Sequence, residues 1–422
     1  MKKLFSCFIA TLFLTTILSA QKSNNKAEKK LNSEINTTAI DSFENSIKND
    51  ISNKKISGGT YLLYEKGIIV ASNTIGESDV SSHTPLKHNS FFRIQSMTKP
   101  IASLALLLLQ EDGLINMNDR LDKYLPEFAN PFVLDRRDTL NGIVVLKTHP
   151  AKNSIFLRNL LTHTAGFPGG FSPNQKDLYT ATYKDVTKYD LAHFCKELAK
   201  LPLDYEPGES WEYGQSTNVA ARVIEIVSGM SFKDFLNKRI FGPMQMNDTK
   251  FHLDSTDASR HTTLYKLDEK GEMTMADPGN VSSVLISGPK VFTSASGGLI
   301  STIDDYLKFC TMILKNGMHG NKMIAKPETI ALMKTDQLPS NINGSTTGNP
   351  DKGFTFGYQI IRREGNGSPL PEKSISWVGS NCTSFFIDLK REVIGIYLTQ
   401  NENYGQIPSW ENFYQWMMKA YK

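Results

Sequence analysis

The sequence predicts an α+β fold, on three observations. Strand-like runs stand near both ends of the chain, at Thr60–Leu63 with Ile68–Ala71 and at Ile375–Val378, Ser384–Leu389 and Val393–Thr399. Between about 130 and 300, loops rich in Pro, Gly, Asn and Asp alternate with short helical patterns such as Leu157–Leu161 and Val219–Val227. One long apolar run, Ile101–Leu109, follows directly on Phe91–Pro100. Terminal strands that share one sheet, with the middle inserted as a mainly helical lobe, make an α+β layout rather than alternating βα units.

The elements follow in chain order. Met1–Ala20 reads as a targeting segment: Lys2-Lys3 are a basic start, Leu4–Leu18 an apolar stretch, and Leu18-Ser19-Ala20 a small-residue cleavage site. The apolar stretch is shorter than the ~20 residues that span a bilayer, so no stable span is expected after cleavage. Cys7 lies inside it rather than at its end, which argues against a lipid-modified cysteine. The chain is therefore expected to be exported, to a periplasmic or extracellular place. Gln21–Thr38 is polar and lysine-rich and reads as a disordered leader, so the folded domain is expected over 39–422. Ile40, Phe43, Ile47 and Ile51 recur at helical spacing, with Gly58-Gly59 as the expected end of that helix. A hairpin is expected around Glu65-Lys66-Gly67. Pro100 fits only the first turn of a helix, and Gly113 reads as the same helix's C-cap. That helix is apolar nearly all round, which marks it as buried. The chain closes with an amphipathic helix carrying Trp410, Phe413, Trp416 and Met417.

Composition excludes little but gives direction. A formal charge of +4 over 422 residues, with scattered lysines, makes no case for nucleic acid or a membrane surface. Cleavage leaves Cys195, Cys310 and Cys382, widely spaced and without a Cys-x-x-Cys, so buried free thiols are expected over a disulfide. The histidines show no metal-ligand spacing, and no metal or cofactor is expected.

Three constellations carry chemistry. Ser96 and Lys99 are three apart, so hydroxyl and amine share a helix face. A lysine kept neutral can take the serine proton and make a nucleophile, which requires burial or nearby positive charge to lower a value near ~10.4. The same spacing recurs at Ser23/Lys26, Ser52/Lys55 and Ser287/Lys290, so position decides: Ser96 stands at the mouth of the buried helix. The plain alternative is an N-cap serine with a surface lysine. Tyr213, in Trp211-Glu212-Tyr213-Gly214-Gln215, is a candidate general base, or else a core tyrosine. Ser376-Trp377-Val378-Gly379-Ser380 ends a strand. Gly379 there permits close backbone approach, and the amide of Ser380 can pair with that of Ser96 as two donors to a developing oxyanion.

Taken in this order, the three pieces resemble the serine β-lactamase-like, penicillin-recognising hydrolases, in the branch of class C β-lactamases, D-Ala-D-Ala peptidases and family VIII esterases. The resemblance runs from about Ile40 to the C-terminus. Ser96-Met97-Thr98-Lys99 matches the nucleophile motif, Tyr213-Gly214-Gln215 stands where the family carries Tyr-x-Asn, and Trp377-Val378-Gly379 where β-lactamases carry Lys-Thr-Gly. Leu160–Gly166, Ser228-Gly229-Met230 and Gly297–Thr302 are similar too. The resemblance implies an antiparallel sheet flanked by the N- and C-terminal helices, a structural role for His163, and an acyl-enzyme on Ser96 with Lys99 and Tyr213 sharing proton transfer.

The departures point to substrate. Gln215 replaces the family asparagine, with Asn218 as a nearby substitute. Trp377 replaces a lysine, which removes a usual anchor for a substrate carboxylate. An esterase-like activity on small-molecule esters or amides is therefore expected. A D-Ala-D-Ala carboxypeptidase acting on cell-wall peptides, a class C-type β-lactamase, or a non-catalytic binding relative are the alternatives. Arg362 or Arg363 stands as a candidate for the missing charge.

Overall fold

The computed structural model describes residues 35–421 apart from 142, 366 and 404. The expected targeting segment and residues 21–34 of the expected leader lie outside the described residues. The first helix, α1 (Thr37–Ser52), takes in the last two residues assigned to the leader. Asn36 starts it there: its side chain accepts from the amide of Ala39, and its own amide donates to the Ala420 carbonyl. The helix stops before Gly58-Gly59, where Lys54 takes a left-handed φ of 53°. The two glycines instead begin a strand. A Cβ on Gly59 would overlap the Tyr397 ring of the neighbouring strand, so glycine there allows close approach.

The sheet strands are β1 (Gly58–Glu65), β2 (Ile68–Asp79), β3 (Thr84–Pro85), β4 (Lys352–Phe354), β5 (Gln359–Ile361), β6 (Ile375–Gly379), β7 (Thr383–Asp388) and β8 (Val393–Thr399). They form one antiparallel sheet in the order β4-β5-β6-β7-β8-β1-β2-β3. The two ends of the chain meet in its middle, where β1 pairs with β8 from Gly59↔Thr399 to Glu65↔Val393.

Both faces of the sheet are covered, so the alternate residues of β1 feed two cores. Tyr61 and Leu63 join Phe43 and Ile47 of α1 and Phe413 and Met417 of the C-terminal helix. Leu62 faces the other core with helix α2 (Thr98–Glu111), helix α3 (Ser216–Ser228) and the middle of the chain. Every residue of α2 from Thr98 to Leu109 is buried, so it runs through this second core. Each of its buried leucines contributes roughly 1.5–3 kcal/mol relative to exposure.

The middle of the chain is less purely helical than its loops suggested. Two antiparallel hairpins, Phe132–Leu140 with Ile143–Pro150 and Leu264–Leu267 with Met273–Asp277, accompany the helices. The first carried a signal in Asn141-Gly142, a favoured hairpin turn pair. Among the described residues, no helix is long and apolar enough to cross a membrane. Cys195, Cys310 and Cys382 are free and buried.

Candidate active site

Ser96 is presented by a turn that is tied down on several sides. The strand Phe92–Arg93 pairs with Ile300–Ser301, and Gln95 then reverses the chain at a φ of 46°. A single 3-10 turn, Gln95–Met97, leads into α2. The Leu299 amide donates to Thr98 Oγ1 over 3.2 Å, and the Tyr306 hydroxyl donates to the Met97 carbonyl over 3.0 Å. The Gln95 side-chain amide donates to Asn381 Oδ1, which fixes the turn before Ser96 to the turn between β6 and β7. A left-handed non-glycine residue beside a partly exposed serine is strain held by its surroundings.

Lys99, one turn further, is 2 % exposed. Its Nζ lies 3.3 Å from Ser96 Oγ, donates to the Ser296 carbonyl over 2.8 Å, and sits 4.4 Å above the Tyr213 ring. Burial pulls the ammonium from 10.5 down to about 7. A neighbouring cation, one of the two causes expected from the sequence, is not what lowers it. The Ser296 carbonyl takes one N–H, so a neutral amine, with one N–H and its lone pair remaining, can turn the lone pair to Ser96.

The Tyr213 hydroxyl accepts from Trp377 Nε1 over 3.3 Å, and the two rings lie 5.1 Å apart. Behind Tyr213, the His163 ring packs at 4.8 Å. His163 is fully buried; desolvation first, and the Lys99 charge second, push its imidazole well below the ordinary value and keep it neutral. Phe354 packs edge-on to both Trp377 and His163. Trp377 thus stands among rings, on β6, where the family's cation was expected.

Neither expected arginine restores that cation. Arg362 Nε donates to Asp336 Oδ2, and Arg363 pairs with Asp351 at 2.6 Å. Besides Lys99, the cavity is lined by Lys352 on β4, for which the sequence offered no signal. Asn218 is not a substitute for the missing asparagine either. It is fully buried; its Oδ1 accepts from the Ser296 amide over 3.0 Å and its Nδ2 donates to Gln215 Oε1 over 2.9 Å. Asn218 therefore holds the Ser296 segment under Lys99, and Gln215 is the one that lines the cavity. Ser296 lay directly ahead of the glycine pair Gly297-Gly298, which was the available hint.

Gly379 ends β6 against the Ser96 turn. A Cβ there would overlap Thr383 Oγ1 and the Ile94 carbonyl oxygen, so only glycine allows this approach. It brings exposed Ser380 and Ser96 to one cavity wall.

The cavity has a volume of about 940 Å³ and takes in Ser96, Lys99, Tyr213, Gln215, Trp377, Gly379 and Ser380. One arm is apolar, between Tyr183, Phe251, Leu285 and Phe292. The other, beside β4 and β5, carries Ser345, Thr347, Lys352 and Gln359. Among the described residues, no aspartate or glutamate lines it.

A serine beside a buried lysine and a tyrosine, between an antiparallel sheet and a largely helical lobe, defines a class of hydrolase fold and site. A model of the beta-lactamase family matches residues 43–407, and the chain belongs to that family. It is 29 % identical to protein Rv1367c of Mycobacterium tuberculosis, over 86 % of this chain and 90 % of that protein. It is 25 % identical to the lovastatin esterase of Penicillium rubens, over 82 % and 89 %. The fold is that of EstCE1, described as a hydrolase with promiscuous acyltransferase activity: TM-score 0.75, 22 % identity, covering 92 % of this chain and 99 % of that one. The relatives of this serine hydrolase family thus include esterases and acyltransferases.

Proposed function

We propose that the protein is an esterase that works through an acyl-enzyme on Ser96. The observation that carries this reading is Lys99, fully buried and 3.3 Å from Ser96 Oγ, with burial alone lowering its proton affinity to about 7. In the reading, the Ser96 hydroxyl attacks the ester carbonyl as its proton passes to Lys99 Nζ. The amides of Ser96 and Ser380 hold the oxyanion. The C–O bond to the alcohol breaks, and the alkoxide takes the proton from Lys99 by way of Tyr213. Water then attacks the acyl-enzyme, gives a proton to the same pair, and releases the acid and free Ser96. No metal or cofactor enters these steps.

Esters are favoured over β-lactams and D-Ala-D-Ala peptides because Trp377 offers an apolar face where those substrates, each with a carboxylate near the scissile bond, need a cation. The apolar arm of the cavity and the esterase relative support the same choice. The test is labelling with a fluorophosphonate, followed by peptide mass spectrometry. The adduct is expected on Ser96 and lost in Ser96→Ala; an adduct on another serine overturns the assignment. On p-nitrophenyl butyrate, kcat/KM is expected to exceed that on nitrocefin. We also propose that the chain is exported with a mature start near Gln21, on the Lys2-Lys3, apolar and Ala20 pattern. N-terminal sequencing of material outside the cytoplasm decides that.

A further inference from the structure

We infer that the apolar arm of the cavity receives a large apolar group of the substrate, and that Tyr183 is the positioning residue that links this group to Lys99. The inference rests on the esterase reading for the reaction, and on the following contacts for the link.

Tyr183 is the last residue of the helix Lys176–Tyr183, and its ring forms part of the arm's wall. Other rings hold it in place. Tyr179 stacks on it at 5.6 Å, and Phe194 and Phe292 meet it edge-on at 5.9 and 6.3 Å. Its hydroxyl is hydrogen-bonded to the side chains of Ser294 and Asn218. Ser294 Oγ in turn donates to Asn218 Oδ1 over 3.3 Å, so the three side chains close a ring of hydrogen bonds.

Asn218 carries the link inward. The same Oδ1 accepts from the Ser296 amide over 3.0 Å, and the Ser296 and Thr217 hydroxyls lie 2.6 Å apart. The Ser296 carbonyl takes Lys99 Nζ at 2.8 Å, and Nζ lies 3.3 Å from Ser96 Oγ. Thr217, Asn218, Ser296 and Lys99 are all buried. A buried donor or acceptor is costly to leave without its partner, so these groups move together rather than part.

The walls decide what the arm takes. Tyr183, Phe251, Leu285 and Phe292 offer carbon surface, and the Tyr183 and Ser294 hydroxyls are used on Asn218 and on each other. At about 940 Å³ the cavity is near the upper end of the range that encloses a drug-sized ligand, so an acetyl or butyryl ester leaves much of it unfilled. The class that fits is an ester with a medium-length or ring-containing hydrocarbon group, on its acid or its alcohol side. Against the Tyr183 ring, such a group limits the motion of the wall, and with it that of Asn218 and the Ser296 carbonyl. Its binding then appears in kcat, as does any interaction that aligns the reacting groups, and not in KM alone.

The experiment measures kcat and KM along two series. The acid side is varied in p-nitrophenyl acetate, butyrate and octanoate, and the alcohol side in ethyl, butyl and octyl acetate. Wild type is compared with Tyr183→Phe, which keeps the ring and loses the hydroxyl, and with Leu285→Asp, which puts a charge in the arm. Each methylene buried counts for about a factor of four. In wild type the longest member is expected to exceed the shortest in kcat/KM by about ten- to a hundredfold in one series, part of it in kcat; that series names the side. Leu285→Asp should remove most of this preference. Tyr183→Phe should lower kcat on the longest member about two- to tenfold and flatten the rise of kcat along the series, with KM little moved. No preference for the longest member in either series overturns the role of the arm. A Tyr183→Phe loss that falls on KM, or equally on short and long members, overturns the link. Calorimetry on Ser96→Ala requires no turnover, and its ligands are N-ethyl octanamide and N-octyl acetamide, isomers with the chain on opposite sides. One of them is expected to bind at least about tenfold more weakly once Leu285→Asp is added, and within about twofold once Tyr183→Phe is added. That result supports the subsite even where Ser96 proves not to be the nucleophile. Equal binding with and without Leu285→Asp overturns it even where ester hydrolysis is established.

Discussion

The indole N–H of Trp377 donates to the hydroxyl oxygen of Tyr213 over 3.3 Å. A donor to that oxygen favours the phenolate over the phenol, which is the direction a cation would act, but more weakly. Trp377 thus keeps part of the electrostatic task of the residue it replaces while giving up the full charge. Trp377→Phe removes the donor and keeps the ring. The expected result is about a two- to tenfold lower kcat on p-nitrophenyl butyrate, with KM little moved. Trp377→Lys should raise kcat/KM on nitrocefin relative to the neutral ester. An unchanged kcat in Trp377→Phe would show that the bond does not matter to the reaction.

Lys99 should set the acid limb of the pH profile. The base is neutral only above its own pKa, and burial places that at about 7. The expected kcat/KM falls tenfold per unit below that pH and levels above it. A limb near the free lysine value of ~10.4 would contradict the assignment. Lys99→Ala and Tyr213→Phe should each cost much of the rate, and the double variant far less than the product of the two.

The same burial has a stability consequence of known sign. The folded value, about 7, lies below the ordinary 10.5, so between those two pH values the unfolded chain binds the extra proton. Stability therefore rises with pH across that window, and Lys99 is most costly below it. Lys99→Met should raise the melting temperature more at pH 6 than at pH 9. The gain is on the order of a few kcal/mol. An equal gain at both pH values would mean that Lys99 stays charged in the fold.

Glu212, next to Tyr213, faces the opposite situation. Burial first, then the neighbouring Asp204, hold its carboxyl well above the usual range. A raised folded value means that the stabilising proton is present at low pH and lost as the pH climbs through that value. Glu212→Gln should flatten the fall in melting temperature on the alkaline side and leave the acid side less changed. A wild-type melting temperature that is level across neutral to alkaline pH would remove the basis for this.

Gly379→Ala should separate fold from activity. The added Cβ overlaps the Ile94 carbonyl and Thr383 Oγ1, so β6 must move away from the Ser96 turn. Fluorophosphonate labelling of Ser96 is expected to slow at least tenfold while circular dichroism stays that of a folded protein. Labelling at the wild-type rate would show that the approach is not needed.

What the sequence by itself determined is local and periodic. The all-round apolar run, with Pro100 at its start and Gly113 at its end, predicts the buried helix α2 and places Ser96 at its mouth, because helix periodicity and caps are properties of neighbouring residues. The late strands were legible from their own local pattern, and so was the hairpin of β1 and β2 around Glu65-Lys66-Gly67. What remained illegible depends on which distant segments meet. Asn218 looked like a substrate ligand, but the fold spends it on the Ser296 segment nearly eighty residues later. Arg362 and Arg363 looked like spare charges, but Asp336 and Asp351 take them. Lys352 had no motif around it, and it comes to line the cavity only because β4 and β5 add to the sheet beside β6. The proton affinity of Lys99 is decided in the same way. Spacing brings it to Ser96, but only packing strips away its water, and desolvation is a property of everything that surrounds the group rather than of its neighbours in the chain.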